Sequence, residues 1–207
     1  RTFCHEIGHM LMDWPDLYDY GYESYGAGNY CLMAYGPSNT NPAQPCAYMK
    51  FVSGWADVTS QTLPQTGLTV SAASNVVFKF SHPTLASEYY LIENRQRSGR
   101  DANLPDAGLA IWHVDTAGSN NNEQQTPELH YLVTLVQADG RWDLENNVRR
   151  GAATVLHASP GYTSCTPSTN PDTDWWDGSE SGHSFRSISG ICTTSIPVHA
   201  VDGASAA

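Results

Sequence analysis

No stretch of the 207-residue sequence is apolar for the about 18 consecutive residues a bilayer span needs, so no membrane span is expected. An initiator Met and a charged-then-apolar leader are also missing, and the start at Arg1 reads as a processed or truncated end. Basic residues are scarce. Ten Lys and Arg face 21 Asp and Glu, and the formal charge of −11 argues against nucleic acid and anionic membrane surfaces as partners. Charged residues of both signs make up only 15% of the chain. Gly, Pro, Tyr, Trp, Ser, Thr and Asn take their place, a mixture common in secreted proteins rich in sheet and turns, so an extracellular location is expected. No CxxC pair occurs among Cys4, Cys31, Cys46, Cys165 and Cys192, which excludes a zinc knuckle. Proximity in sequence pairs Cys31 with Cys46 and Cys165 with Cys192 as the simplest disulfides, with buried free thiols as the alternative.

What is present is enough apolar residue, 40%, to build a core for one ordinary domain or a small one plus a larger one. Residues 1–13 read as a helix, with Phe3, Ile7, Met10 and Leu11 at helical spacing and Trp14-Pro15 as its end. Glycines at 21, 26, 28 and 36 break the tyrosine-rich segment 16–38 into loop, and residues 43–55 read as a short helix entered at Pro45 and stopped at Gly54. Beyond residue 59 alternating β-branched and aromatic stretches predict strands at 68–72, 76–81, 88–94, 109–114 and 131–137, with shorter ones at 154–156, 184–188 and 195–200. Residues 115–128 form a long polar loop. Strands at this spacing without long intervening helices favour an antiparallel sandwich.

The chemistry concentrates in His5-Glu6-Ile7-Gly8-His9, an HExxH pentad. On a helix it sets two imidazoles one turn apart with a carboxylate beside them, the ligand pair and general base of a zinc peptidase. A catalytic zinc needs a third protein ligand and an open position. Asp13 lies eight residues beyond His5, about 12 Å along the axis, too far for one tetrahedral centre on a continuing helix, so the chain must turn back. Asp16, just after the helix-ending Pro15, is the leading third ligand, with Asp19, Asp13 and Glu23 as alternatives and a turn carboxylate as the structural reading. Glu6 would take a proton from zinc-activated water and pass it to the leaving amine.

Downstream, Gly28 to Gly36 resembles a Met-turn, with Met33 beneath the metal, and the Met33-x-Tyr35 order is like that of astacins and serralysins. That likeness implies that Tyr35 stabilises the tetrahedral oxyanion, a role worth about 2.7–4 kcal/mol. The usual extended metzincin pattern, HExxHxxGxx followed by His or Asp, is not kept: Met12 holds the glycine position and Pro15 the ligand position.

Taken together, the pentad, Pro15-Asp16-Leu17-Tyr18-Asp19, Gly28-x-x-x-Leu32-Met33 and Lys50-x-x-x-Gly54-Trp55 resemble the immune inhibitor A family of secreted metallopeptidases. So do Glu88 to Arg95, Leu104 to Asp115, Val136 to Glu145 and Trp175-Trp176-Asp177-Gly178. The resemblance implies a zinc endopeptidase acting on proteins and peptides, often with structural calcium. Residues 150–154 lack the acidic residues often found there. It also implies an α+β fold. Residues 1–58 would be the helical and loop lower part of a metzincin-like catalytic domain, and residues 59–207 a mainly antiparallel β-sandwich. A substrate-binding subdomain normally precedes the pentad, so a longer precursor is expected upstream.

Other residues carry quieter expectations. His113 reads as a packed sheet histidine, Glu93 and Arg95 as an ion pair, and Arg149-Arg150 as a solvated loop pair. Trp175-Trp176 suggests core packing plus one exposed ring more than a carbohydrate platform. The competing reading of the whole chain is a sandwich binding module whose zinc is only structural.

Overall fold

The structure is a computed structural model, and it describes residues 1–72, 74–121, 129–158, 161–189 and 195–202. Cys192 and the later part of the expected polar loop lie outside these. Among the described residues no helix is long and apolar enough to cross a membrane.

The described residues hold two α-helices, α1 (Thr2–Met12) and α2 (Ala47–Val52). Eight strands follow: β1 (Asp57–Gln61), β2 (Gln65–Ser71), β3 (Val76–Ser81), β4 (Glu88–Arg95), β5 (Gly108–Asp115), β6 (Val133–Leu135), β7 (His183–Arg186) and β8 (Ser195–Asp202). They form a five-stranded sheet in the order β1-β3-β4-β5-β6 and a three-stranded sheet in the order β2-β8-β7. Among the described residues every strand-to-strand pairing is antiparallel except β1 with β3, which is parallel, and a single parallel bridge joins Ala72 to Asn94.

The expected α+β class with a helical lower part is wrong: the chain is mainly β, with helices of only 11 and six residues. The reason lies in the segment between the helices. Gly26, Gly28 and Gly36 all adopt positive φ, and so do Asp13 and Tyr22, which no continuous helix tolerates. Only a 3-10 turn at Gly28–Tyr30 interrupts the loop. The second expected helix shrinks as well, because the chain stays extended up to Cys46 and Gly54 turns left-handed at φ 68°. The stretch 154–156 is not a strand but a turn ahead of a single bridge between His157 and Leu109.

Strands β4 and β5 are buried on both faces, and their alternation divides the core in two. Tyr89, Leu91, Ala110, Trp112 and Val114 face one cluster, which also holds Trp14, Leu17, Tyr30, Met33 and Met49 from the first 58 residues. Tyr90, Ile92, Leu109 and Ile111 face the other, shared with Val70, Phe185, Ile196 and Val198 of the second sheet. The five-stranded sheet is thus the middle layer, and the loop segment that follows the HExxH helix packs directly on it.

A buried ionic network fastens that attachment. Glu93 accepts from Lys50 Nζ, from the Ala47 backbone N–H at 3.0 Å, from Trp112 Nε1 at 3.0 Å and from Arg95 Nη1 at 3.1 Å. Arg95 in turn forks onto Asp101 at 2.7 and 2.9 Å and donates to the Tyr30 carbonyl at 2.9 Å. The network therefore pins both α2 and the start of the Met33 turn to β4.

Candidate metal centre

Helix α1 carries the pentad with His5 buried, His9 half-buried and Glu6 exposed. Its apolar stripe does not point inward: Phe3, Met10 and Leu11 are 77, 73 and 67% exposed, and the inward face is made by His5 and Gly8. The helix stops because Asp13 takes a left-handed conformation at φ 53°. The Asp13 N–H bonds back to the His9 carbonyl at 3.1 Å and the Trp14 N–H to the Gly8 carbonyl at 3.4 Å. Trp14-Pro15 then reverses the chain, and the Leu17 N–H seals the return on the Met33 carbonyl at 2.8 Å.

The reversal delivers Asp16 to the histidines. His5 Nε2 lies 2.9 Å and His9 Nε2 3.2 Å from Asp16 Oδ1, and the two Nε2 atoms are 3.1 Å apart. Among the described residues these three form the group of His, Cys, Asp or Glu donors able to hold a metal ion. Their spacing suits one tetrahedral zinc, whose ligand atoms at about 2.0–2.1 Å stand about 3.3 Å from one another. The donor chemistry fits too. Each Nδ1–H donates to a carbonyl, His5 to Leu32 at 3.0 Å and His9 to Trp14 at 2.5 Å, so in neutral rings both Nε2 lone pairs face the carboxylate. Two lone pairs and an anionic oxygen converging on one point repel unless a cation stands between them.

The other candidate ligands are elsewhere. Asp19 is fully buried, but its carboxylate caps its own turn, accepting from the Gly21 N–H at 3.0 Å and the Glu23 N–H at 2.6 Å. Asp13 and Glu23 are exposed. Three residues without a motif complete the surroundings. Tyr20 Oη donates to Asp16 Oδ2 at 2.7 Å, and Asn121 Nδ2 holds the Asp16 and Tyr18 carbonyls at 3.3 and 2.9 Å. Arg150, expected as a solvated cation, lies 3.9 Å over the Tyr35 ring and 5.2 Å from that of Tyr25. Its neighbour Arg149 pairs with Asp143 at 2.9 Å.

Met33 is fully buried beneath α1, and a Cβ built on Gly8 would meet its Sδ at 2.8 Å and Trp14 Cε3 at 2.8 Å. Glu6, Tyr35 and His5 share a cleft of 250 Å³ with Arg1, Tyr18 and Tyr22. Burial raises the Tyr35 phenol above its ordinary value, with Arg150 pulling the other way. Burial and the Asp16 carboxylate push Tyr18 up to about 12, so both phenols stay protonated hydrogen-bond donors at neutral pH.

Away from the cleft, His113 is buried in β5 and bonds Glu88 at 2.8 Å. Trp175 is buried, while Trp176 lies in a turn rather than a strand, stacked between His113 and His130 at interplanar angles of 11 and 15°. Cys31 and Cys46 stand side by side as buried thiols; Cys165 is a buried free thiol and Cys4 an exposed one. Comparison of the chain with protein-family models, curated proteins and solved structures finds no match.

Proposed function

We propose that the chain is a secreted zinc endopeptidase of the immune inhibitor A type, hydrolysing peptide bonds in extracellular proteins. One observation carries the reading: His5 Nε2, His9 Nε2 and Asp16 Oδ1 converge within 3.2 Å of one another beside the cleft that holds Glu6. The quoted sequence motifs support it independently. A bound zinc would lower the pKa of water from about 15.7 to about 7 and polarise the scissile carbonyl.

The chain's own residues supply the rest. Glu6, exposed at the cleft, accepts the proton of the attacking water and hands it to the departing amine nitrogen as the C–N bond breaks. Tyr35, kept protonated, donates a hydrogen bond to the oxygen that becomes anionic. The Leu32 and Trp14 carbonyls fix the imidazole orientations, and Tyr20 fixes that of Asp16.

The test is cleavage of casein. It should be abolished by a zinc chelator, restored by zinc, and lost in Glu6→Gln with zinc content unchanged. A second reading, a binding module with a structural zinc, draws on the exposed Phe3, Met10 and Leu11, which leave the outer face of α1 uncovered. Stoichiometric zinc without any hydrolysis would favour it.

A further inference from the structure

The structure places two thiols where one bond would stiffen the metal centre. The Cys46 backbone N–H donates to Cys31 Sγ at 3.3 Å, and both residues are completely buried. Among the described cysteines, Cys4 is exposed and Cys165 belongs to the core on the opposite side of the five-stranded sheet. Both ends of the pair are held. The Lys50 N–H bonds the Cys46 carbonyl at 3.1 Å, the Ala34 N–H bonds the Cys31 carbonyl at 3.1 Å, and the intervening loop closes through Leu32 N–H to the Gln44 carbonyl at 3.2 Å. The residue between Cys31 and Met33 is Leu32, whose carbonyl orients His5.

We propose that Cys31 and Cys46 form a disulfide as the chain folds, and that this bond clamps the Leu32 carbonyl, and with it His5, in the metal-binding orientation. The pairing stands on the two sulfurs' surroundings alone; its effect on the metal rests on the zinc reading above. A low-molecular-weight disulfide such as oxidised glutathione is the oxidant. One cysteine thiolate attacks its S–S bond and releases one glutathione thiol, and the second cysteine then attacks the mixed disulfide and releases the other. Two protein thiols become one S–S bond, the oxidant's disulfide becomes two thiols, and the two protons end on them. Because both sulfurs are buried, exchange belongs to the folding chain rather than the closed one.

The full chain, unfolded in denaturant and refolded in mixed oxidised and reduced glutathione, is alkylated, digested and weighed. A peptide linking Cys31 to Cys46 should dominate, with Cys4 alkylated. Alkylation of both Cys31 and Cys46, or either paired with another cysteine, overturns the pairing. Zinc affinity of the oxidised and reduced chain, read by competition with a chelator, should differ by about tenfold in favour of the oxidised form, the scale of second-sphere effects on metal sites. Equal affinities overturn the clamp while leaving the disulfide standing. The cross-linked peptide is read without zinc or peptidase activity, so a failed pairing and a failed peptidase reading remain distinguishable. Comparing two redox states of one chain avoids variants that do not fold.

Discussion

The Met33 sulfur occupies the space that a side chain at Gly8 would need, so the methionine packs on bare helix backbone between His5 and His9. Trp14 closes on the same spot from the other side. Gly8→Ala should therefore displace Met33 or Trp14 and destabilise the chain by about 1–3 kcal/mol, despite alanine's better helix propensity. Denaturant unfolding checks this, and an unchanged or raised midpoint would show that the turn yields without cost.

Tyr20 is 58% exposed yet aims its hydroxyl at the Asp16 carboxylate. Tyr20→Phe should leave the unfolding midpoint within about 0.5 kcal/mol of the parent, as for ordinary surface changes, while weakening zinc binding by about tenfold. Chelator competition measures the second effect. Equal affinities would mean that Asp16 needs no such support.

Glu93 is the anionic centre of the network that ties α2 and the Met33 turn to the sheet. Burial alone would raise its pKa, but Lys50 and Arg95 outweigh that and hold it below the ordinary carboxylate value. Its folded pKa is depressed, so its contribution is complete above the unfolded value of about 4.3 and is lost as pH falls through the folded pKa. Glu93→Ala should cost about 3–5 kcal/mol at neutral pH, because it leaves Lys50 buried without a carboxylate partner and Arg95 with Asp101 alone. The loss should shrink in acid, as urea titrations from pH 7 to pH 3 would show.

His157 gives a second pH dependence, with a different window. It is 1% exposed, neither ring nitrogen has a hydrogen-bond partner, and burial depresses its pKa to about 3. The unfolded chain binds a proton near pH 6.5 that the folded chain refuses until about pH 3. Stability should therefore fall as pH drops below 6.5, by up to about 1.4 kcal/mol per unit. His157→Leu should flatten that slope between pH 6 and pH 4 in the same urea titrations, and a slope identical to the parent's would count against it.

The parts of the fold and site legible in sequence were those set by local geometry. Helical periodicity alone puts His5 and His9 on one face, and a helix-ending proline singles out Asp16 among four acidic candidates. Strands β3, β4 and β5 announce themselves through their runs of β-branched and aromatic residues. Strand β1 does not, since Asp57–Gln61 is a polar, largely exposed edge whose place is set by its parallel partner. The apolar stripe of α1 misleads, because periodicity reports a stripe and not the direction it faces. Tyr20 carries no spacing signal beyond standing one turn from Asp16. Asn121 acts from 105 residues away and Arg150 from a distant loop, contacts that no local pattern encodes.

The left-handed Asp13 has a meaning for how such sites are found. In the extended metzincin pattern the reversing glycine comes three residues after the second histidine and the ligand three residues after the glycine. Here the helix runs one residue further and Asp16 arrives one residue later, so the step from reversal to carboxylate is the same three residues. On the proposed reading, what this chain keeps is the reach from the bend, while its helix is one residue longer. A search that counts from the bend would recover chains like this one, which a ruler laid from the histidine passes over.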